Sequence, residues 1–195
     1  MTNFLKTFFS IILIIFLIIY SYFFLYSSKF SSENIENFPD NNSYYFTNND
    51  FFWPLPGFHR ITSPFGPRKA PRPGSSTNHS GIDIAAPQGT SIYAVLSGAV
   101  SFVGFKGAGG CTVTIHSDQY DISYCHVSPN YMVSNGMYVK SGTHISDVGP
   151  KNIYGIPGNP YTDSSGNPTN GSTTGCHLHL TIRENGIPIN PLLFF

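Results

Sequence analysis

The sequence predicts an all-β fold: an antiparallel, sandwich-like β-sheet domain with long groove-forming loops, preceded by one N-terminal transmembrane helix. From Phe51 onward, short runs rich in β-branched and aromatic residues alternate with turns of Gly, Pro and Asp. No stretch of this region follows the 3.6-residue period of a long amphipathic helix. The one long apolar run lies near the amino terminus. The chain is therefore divided into a membrane segment and a β-rich domain.

The apolar run extends from Phe8 to Tyr26 and is interrupted only by two serines, so as a helix it nearly spans a hydrocarbon core. No alanine occurs before Ala70, and the lack of an AxA-like cleavage site favours an anchor over a cleaved signal peptide. Lys6 precedes the run whereas Glu33 and Glu36 follow it, which favours a cytoplasmic amino terminus. The sequence therefore predicts a single-pass protein of the cell membrane whose main domain is extracytoplasmic, with secretion after signal cleavage as the alternative.

Three segments follow from this pattern. Residues 1–26 form the membrane anchor or signal segment. Residues 27–50 are rich in Ser, Asn and Tyr, lack Gly and show no sustained period, so we expect a flexible tether. Residues 51–195 form one domain of ordinary size. Charged residues make up 10% of the chain and the formal net charge is zero, which argues against nucleic acid as a partner.

Six runs within the domain carry the strand pattern. They are residues 91–95, 98–105, 111–116, 120–126, 137–139 and 176–183. Two other stretches, Gly66 to Asn78 and Gly149 to Thr174, are too polar and too rich in Gly and Pro to be strands. Long connections of this kind commonly form the walls of a site, although disordered decoration is the alternative.

Two histidine motifs suggest a metal site. His79 and Asp83 form HxxxD, and imidazole with carboxylate is a ligand combination suited to zinc. His177 and His179 form HxH in an apolar run, where the two-residue period of a strand places both imidazoles on one face and Leu178 on the other.

His126 ends a further strand-like run, on whose face Tyr124 and Ile122 also lie, while Cys125 points the other way. The sequence has no HExxH motif, and the glutamate after the HxH motif, Glu184, lies on the opposite strand face. A general base must therefore come from histidine.

These motifs, in this order and spacing, resemble the M23 zinc endopeptidases of the lysostaphin or LytM type. The resemblance extends over nearly all of residues 53–192 and includes RITSPFGPR (60–68), NHSGIDIAAPQGTSIYAVLSGAV (78–100), YCHVS (124–128) and TGCHLHLTIRENGIPINP (174–191). Some members of the family carry a tyrosine shortly before HxxxD. The corresponding loop here has none, so stabilisation of the oxyanion would fall to His126 or His177, or to Tyr124 or Tyr161 approaching the site from elsewhere.

The resemblance implies a function and a site. His79, Asp83 and His179 would hold one Zn²⁺ ion, with a fourth position open, and His126 and His177 would be the two catalytic histidines. The implied activity is hydrolysis of peptide bonds in peptidoglycan cross-links or stem peptides, with no small-molecule cofactor. The alternative is a catalytically silent module that binds the cell wall or activates an amidase.

The remaining polar residues are given simpler interpretations. His59, His116 and His144 match none of the motifs and are expected on the surface, as are the clustered cations Arg60, Arg68, Lys69 and Arg72, which could also attract an anionic wall polymer. Cys125 and Cys176 each precede one of the proposed catalytic histidines, so a disulfide between them is a hypothesis, with Cys111 left over.

Overall fold

The structure, a computed structural model, describes residues 51–70 and 76–195. Every regular element in these ranges is a β-strand or a short 3-10 turn, and all strand pairs are antiparallel, which confirms the predicted all-β, antiparallel fold. The strands are β1 Ile61–Ser63, β2 Gly66–Pro67, β3 Asn78–His79, β4 Ile82–Ile84, β5 Ser91–Tyr93, β6 Gly98–Phe105, β7 Cys111–Ser117, β8 Tyr120–Cys125, β9 Tyr138–Val139, β10 His144–Asp147, β11 Leu178–Glu184 and β12 Ile187–Ile189.

The main sheet has the strand order β1-β4-β11-β8-β7-β6-β9, and β12 pairs with β11 outside this path. The long strands β6, β7 and β8 form a meander, because each follows the previous one through a short connection. β11 comes from the end of the chain and inserts between β4 and β8. This insertion joins the HxxxD region to the HxH region in one sheet.

The two faces of the main sheet differ because side chains alternate along each strand. On β11, Leu178, Leu180 and Ile182 are fully buried in the core. His179 and Arg183 point to the opposite face, where a groove lies. The core face of the sheet is therefore aliphatic and the groove face is polar.

A second, smaller layer covers the core face. β5 and β10 form a two-stranded sheet, and Ile92 and Ile145 from it are fully buried in the same core cluster as the aliphatic residues of β11. The arrangement is an unequal sandwich in which one large sheet packs on a small one.

The predicted strands correspond to β5, β6, β7, β8, β9 and β11, with ends that differ by up to two residues. The sequence pattern missed β4, because three residues are too few to display a period. The prediction that Gly66 to Asn78 contains no strand was wrong at its ends. β2 and β3 pair there, with Gly66 opposite His79.

Gly81 is the residue that lets the HxxxD segment approach β11. A Cβ atom built on Gly81 would lie 2.2 Å from the Leu180 carbonyl oxygen and 2.8 Å from the Thr181 Oγ1 atom. Because the first of these neighbours is backbone, we expect Gly81→Ala to lower the free energy of unfolding by about 1–3 kcal/mol or more. Urea unfolding measures this change. Gly175→Ala is the matched control, since nothing lies within 4 Å of its Cβ position, and equal losses in both variants would contradict the explanation.

Within the described ranges, no helix has the length and apolarity needed to cross a membrane. The predicted membrane segment (1–26) and tether (27–50) lie outside the described residues.

Candidate metal centre

Strand register brings the HxxxD and HxH motifs together. Asp83 on β4 is the direct partner of His179 on β11, and both side chains point to the groove. His79 ends β3, two residues before Gly81, and reaches the same point. One ligand atom from each of these three side chains lies within 4.8 Å of the other two.

The atoms that converge are His79 Nε2, Asp83 Oδ1 and His179 Nδ1. The distance from His179 Nδ1 to Asp83 Oδ1 is 2.8 Å and to His79 Nε2 is 2.9 Å, and His79 Nε2 lies 3.3 Å from Asp83 Oδ1. His79 Nδ1 lies 2.8 Å from the Pro64 carbonyl oxygen, which can only accept, so Nδ1 carries the proton and Nε2 presents a lone pair. Electron pairs converging at this spacing fit a cation, and two imidazoles with one carboxylate fit zinc.

Outer partners orient the three side chains, as is usual around protein metal sites. The Pro64 carbonyl accepts from His79, and the Thr181 hydroxyl lies 2.9 Å from His179 Nε2. Arg68 Nη1 lies 3.4 Å from Asp83 Oδ2 and donates to Ser63 Oγ at 2.6 Å. The prediction of Arg68 as a surface cation was wrong, because the hairpin of β2 and β3 folds it towards the carboxylate.

The electrostatics keep Asp83 ionised. Burial by itself would raise the pKa of Asp83, but the adjacent imidazoles of His177, His179 and His79 hold it far below its usual range. Burial lowers the pKa of His179, and the nearby Asp83 opposes this shift only in part. Both shifts favour a carboxylate beside a neutral imidazole, which is the ionisation state that a metal requires.

His177 lies beside this set. Its Nδ1 donates to the Gly175 carbonyl at 2.9 Å, which turns Nε2 to within 3.5 Å of Asp83 Oδ1. Leu178 is fully buried on the other face, as the two-residue period predicts. His177 therefore shares the groove face with His179.

His126 reaches the site in a way that strand periodicity does not anticipate. Tyr124 is buried in the core, whereas Cys125 lines the groove as the register partner of His179. A regular strand would then point His126 into the core. Instead His126 has a left-handed backbone with φ of 59°, and its ring lies 4.8 Å from the His177 ring between centroids. The predicted orientation of Cys125 away from the site was wrong for this reason.

Asn170 holds the His126 ring in place. His126 Nδ1 donates to the Asn170 carbonyl at 2.7 Å, so Nε2 carries the lone pair that faces the groove. The fully buried Asn170 side chain accepts from the Cys111 N–H at 2.7 Å and donates to the Val127 carbonyl at 2.9 Å. Asn170 was not predicted as a site residue, because its loop has no periodic pattern that could identify it.

Loss of the Asn170 side chain leaves a buried N–H and a buried carbonyl without partners. We therefore expect Asn170→Ala to lower the free energy of unfolding by about 2–3 kcal/mol, although the backbone carbonyl that accepts from His126 is retained. Urea unfolding measures the effect. The control is Asn167→Ala in the same loop, where the side chain is exposed. A fully stable Asn170→Ala protein would contradict this account.

The burial of His126 makes stability depend on pH. Desolvation, helped by the charges of His177 and His179, lowers the pKa of His126 from 6.5 to about 3. The unfolded chain therefore binds this proton below pH 6.5 and the folded chain does not. Stability contributed by neutral His126 is complete above pH 6.5 and is lost as the pH falls towards 3, by up to about 1.4 kcal/mol per pH unit.

Thermal unfolding of the metal-free protein from pH 7 to pH 4 tests this dependence. We expect the midpoint to fall with pH, and to fall less steeply in His126→Gln, which lacks the titrating ring. Identical slopes in the two proteins would show that other groups cause the loss.

The site opens into a groove of about 1300 Å³ on the polar face of the main sheet. Lys69 and Ser76 from the first long loop, and Tyr161 and Thr174 from the second, line it. The two loops thus form groove walls, as predicted. The buried Tyr124 hydroxyl accepts from the Val95 N–H at 2.6 Å, which removes that tyrosine from the site.

The other histidines lie elsewhere. His116 pairs with Asp121 at 2.9 Å, His144 pairs with Asp147 at 2.9 Å, and His59 stacks on Trp53.

Cys111, Cys125 and Cys176 are all free. Cys125 is opposite His179 in the register, so Cys176 lies about 10 Å further along, beyond disulfide reach. The hypothesis of a disulfide between Cys125 and Cys176 was therefore wrong.

The fold and this site define a class: antiparallel β proteins with a histidine and aspartate metal centre in an open groove. The model of peptidase family M23 matches residues 77–191, and the chain belongs to this family. The chain is similar to the DD-carboxypeptidase/endopeptidase Mpg of Neisseria meningitidis, with 35% identity over 69% of this chain and 27% of that protein. It is also similar to the peptidoglycan DD-endopeptidase ShyC of Vibrio cholerae, with 33% identity over 69% of this chain and 27% of that protein.

Among solved structures, a zinc-containing peptidase from Vibrio cholerae matches with a TM-score of 0.57 and 26% identity, over 73% of this chain and 39% of that chain. The chain spans about a quarter of the length of the two curated relatives. The similarity therefore concerns the domain that holds the metal centre.

Proposed function

We propose that this chain is a zinc-dependent endopeptidase that hydrolyses peptide bonds in peptidoglycan cross-links or stem peptides. Membership of peptidase family M23 and similarity to a peptidoglycan DD-endopeptidase support the substrate class. The observation that carries the proposal is the convergence of His79, Asp83 and His179 in an open groove with two further imidazoles beside them.

The metal ligands would be His79 Nε2, Asp83 Oδ1 and His179 Nδ1. When bound, zinc supplies Lewis-acid polarisation of a peptide carbonyl and acidifies water. Arg68 holds the outer oxygen of Asp83, so this carboxylate would bind through Oδ1 alone. Three protein ligands leave an open position for substrate chemistry.

His126 and His177 would move the protons. The Asn170 and Gly175 carbonyls hold the two Nδ1–H groups, so both rings turn Nε2 to the same centre. An imidazole in this state accepts a proton from the attacking water and, once protonated, donates to the leaving amine. The neutral state of His126 follows from its lowered pKa of about 3.

The metal ligands and the two imidazoles also bear on the alternative, a catalytically silent module that binds the cell wall or activates an amidase. A silent module needs neither metal ligands nor two oriented imidazoles, and all five side chains are present and oriented. The catalytic proposal is therefore favoured.

Digestion of purified peptidoglycan tests the proposal. The zinc-loaded full chain should release new amino groups, and a chelator should abolish the release until zinc is restored. The masses of the products identify the bond that is cut. Sedimentation with peptidoglycan without any release of amino groups would favour the silent module.

Peptidoglycan lies outside the cytoplasm, so this activity requires an extracytoplasmic domain. The apolar run at residues 8–26 would provide the anchor in the cell membrane. Recovery of the full chain in the membrane fraction, with the domain accessible to external protease, tests the topology. Recovery of a shortened chain in the medium would favour secretion after signal cleavage.

A further inference from the structure

The groove contains a cation whose charge the described residues leave unsatisfied. Arg183 lies on the groove face of β11, four residues beyond His179, and lines the same groove. At about 3.3 Å per residue, its Cα atom is about 13 Å from that of His179. Arg183 is half-buried as a residue, and its side chain lines the groove.

The cross-strand neighbour that could neutralise Arg183 is engaged elsewhere. Asp121 on β8 is the register partner of Arg183, but Asp121 Oδ1 lies 2.9 Å from His116 Nδ1. Among the described residues, the Arg183 side chain makes no hydrogen bond and no ion pair. The Arg183 guanidinium is therefore available to a ligand in the groove, and its planar fork fits a carboxylate.

The groove as a whole also carries positive charge. Lys106 lines the groove with its Nζ atom 5.1 Å from the centre of the Phe102 ring, and it too forms no ion pair with the described residues. Both carboxylates that line the groove have partners, Asp83 in the metal centre and Asp121 on His116. The chain as a whole has zero formal charge, so the excess of positive charge is a local property of the groove.

The groove floor between the metal centre and Arg183 carries short side chains with hydroxyl groups. Thr181 lies between His179 and Arg183 on β11, and the Thr114 and Ser123 hydroxyls beside it are 3.1 Å apart. These short side chains leave room for an extended peptide backbone and offer it hydroxyl groups. An extended peptide covers about 13 Å with roughly four residues.

We propose that Arg183 binds a carboxylate of the substrate, so that the domain selects peptides with a free carboxylate about four extended residues from the cleaved bond. This inference rests on the proposed function and names the substrate class within it. Arginine suits this role because its planar fork binds a carboxylate through two parallel hydrogen bonds.

The experiment compares two synthetic cross-linked stem-peptide dimers that differ only in whether their terminal carboxylates are free or amidated. The zinc-loaded full chain, kept in mild detergent, is assayed for kcat/KM at low and high salt. We expect the free dimer to be preferred by about tenfold or more and the preference to shrink with salt. Lengthening the free dimer by two residues between the cleaved bond and the carboxylate should remove the preference.

Variants assign the preference to Arg183. Arg183→Gln should lower kcat/KM for the free dimer until the two dimers are cleaved equally, and Arg183→Lys should retain part of the preference. The matched control is Arg60→Gln, since Arg60 is exposed and does not line the groove.

Equal cleavage of the two dimers by the wild type, or a preference that survives Arg183→Gln, would overturn the inference and leave the proposed function intact. If neither dimer is cleaved, a binding assay tests the carboxylate preference instead. Fluorescence anisotropy of the two labelled dimers on zinc-loaded His177→Ala measures the carboxylate preference without hydrolysis. Equal dissociation constants for the two dimers refute the carboxylate site. A preference for the free dimer that disappears when Arg183→Gln is combined with His177→Ala supports the site, even if the endopeptidase proposal fails.

Discussion

Replacing His79 with alanine is expected to abolish both zinc binding and hydrolysis. His79 Nε2 is one of only three protein atoms that converge at the centre in the described part of the chain, and the ring is 97% shielded from solvent, with a relative exposure of 3%. Loss of an outer partner of a metal ligand costs about 10–100-fold in metal affinity, and loss of a ligand itself should cost more. Metal analysis after dialysis should give one zinc per wild-type chain and almost none for His79→Ala.

The control for this prediction is His116→Ala, because His116 is exposed and lies outside the metal centre. It should keep wild-type zinc content and activity. A His79→Ala protein that retains one tightly bound zinc would remove His79 from the ligand set. Because His79 also packs against Pro64, circular dichroism should first establish that the variant is folded.

Replacing His177 with alanine is expected to separate metal binding from catalysis. His177 lies beside the three converging atoms, with Nε2 3.5 Å from Asp83 Oδ1, and it is proposed to transfer protons. General acid–base groups contribute about 10²–10⁴-fold to rate, so kcat should fall by that factor while zinc content stays at one. Peptidoglycan hydrolysis and metal analysis on the same preparation measure both quantities.

Loss of zinc from His177→Ala would place His177 among the ligands and contradict the assignment. His126→Gln provides the parallel case. It should also keep zinc and lose activity, and its amide still donates a hydrogen bond at a similar position. Similar losses in both variants would support a shared role for the two imidazoles, and full activity in either would remove it from the proton-transfer pair.

Much of the fold could be predicted because its long strands have a clear two-residue pattern. β6 begins and ends where the pattern of residues 98–105 does, and β11 differs from its predicted run only at the ends. β1, β4, β10 and β12 were missed because strands of three or four residues do not display a period. Their position depends on pairing with distant parts of the chain.

The candidate site was also predicted only in part. HxH implied one shared face, and the structure places His177 and His179 there. The roles of these residues as ligand and catalyst remain predictions. Arg68 and Asn170 were missed because each contacts the site through a loop whose path depends on tertiary packing.

The sequence by itself determined the β class and the polar and aliphatic faces of the long strands, because alternation and residue chemistry are local properties, while the resemblance to M23 peptidases implied the five clustered side chains. Only the tertiary structure decided how these side chains meet. The insertion of β11 between β4 and β8 sets Asp83 opposite His179. Strand alternation would bury the His126 ring in the core, but the left-handed backbone of His126 turns the ring to the groove. Register and backbone handedness depend on contacts between residues far apart in the chain, and no local pattern encodes them.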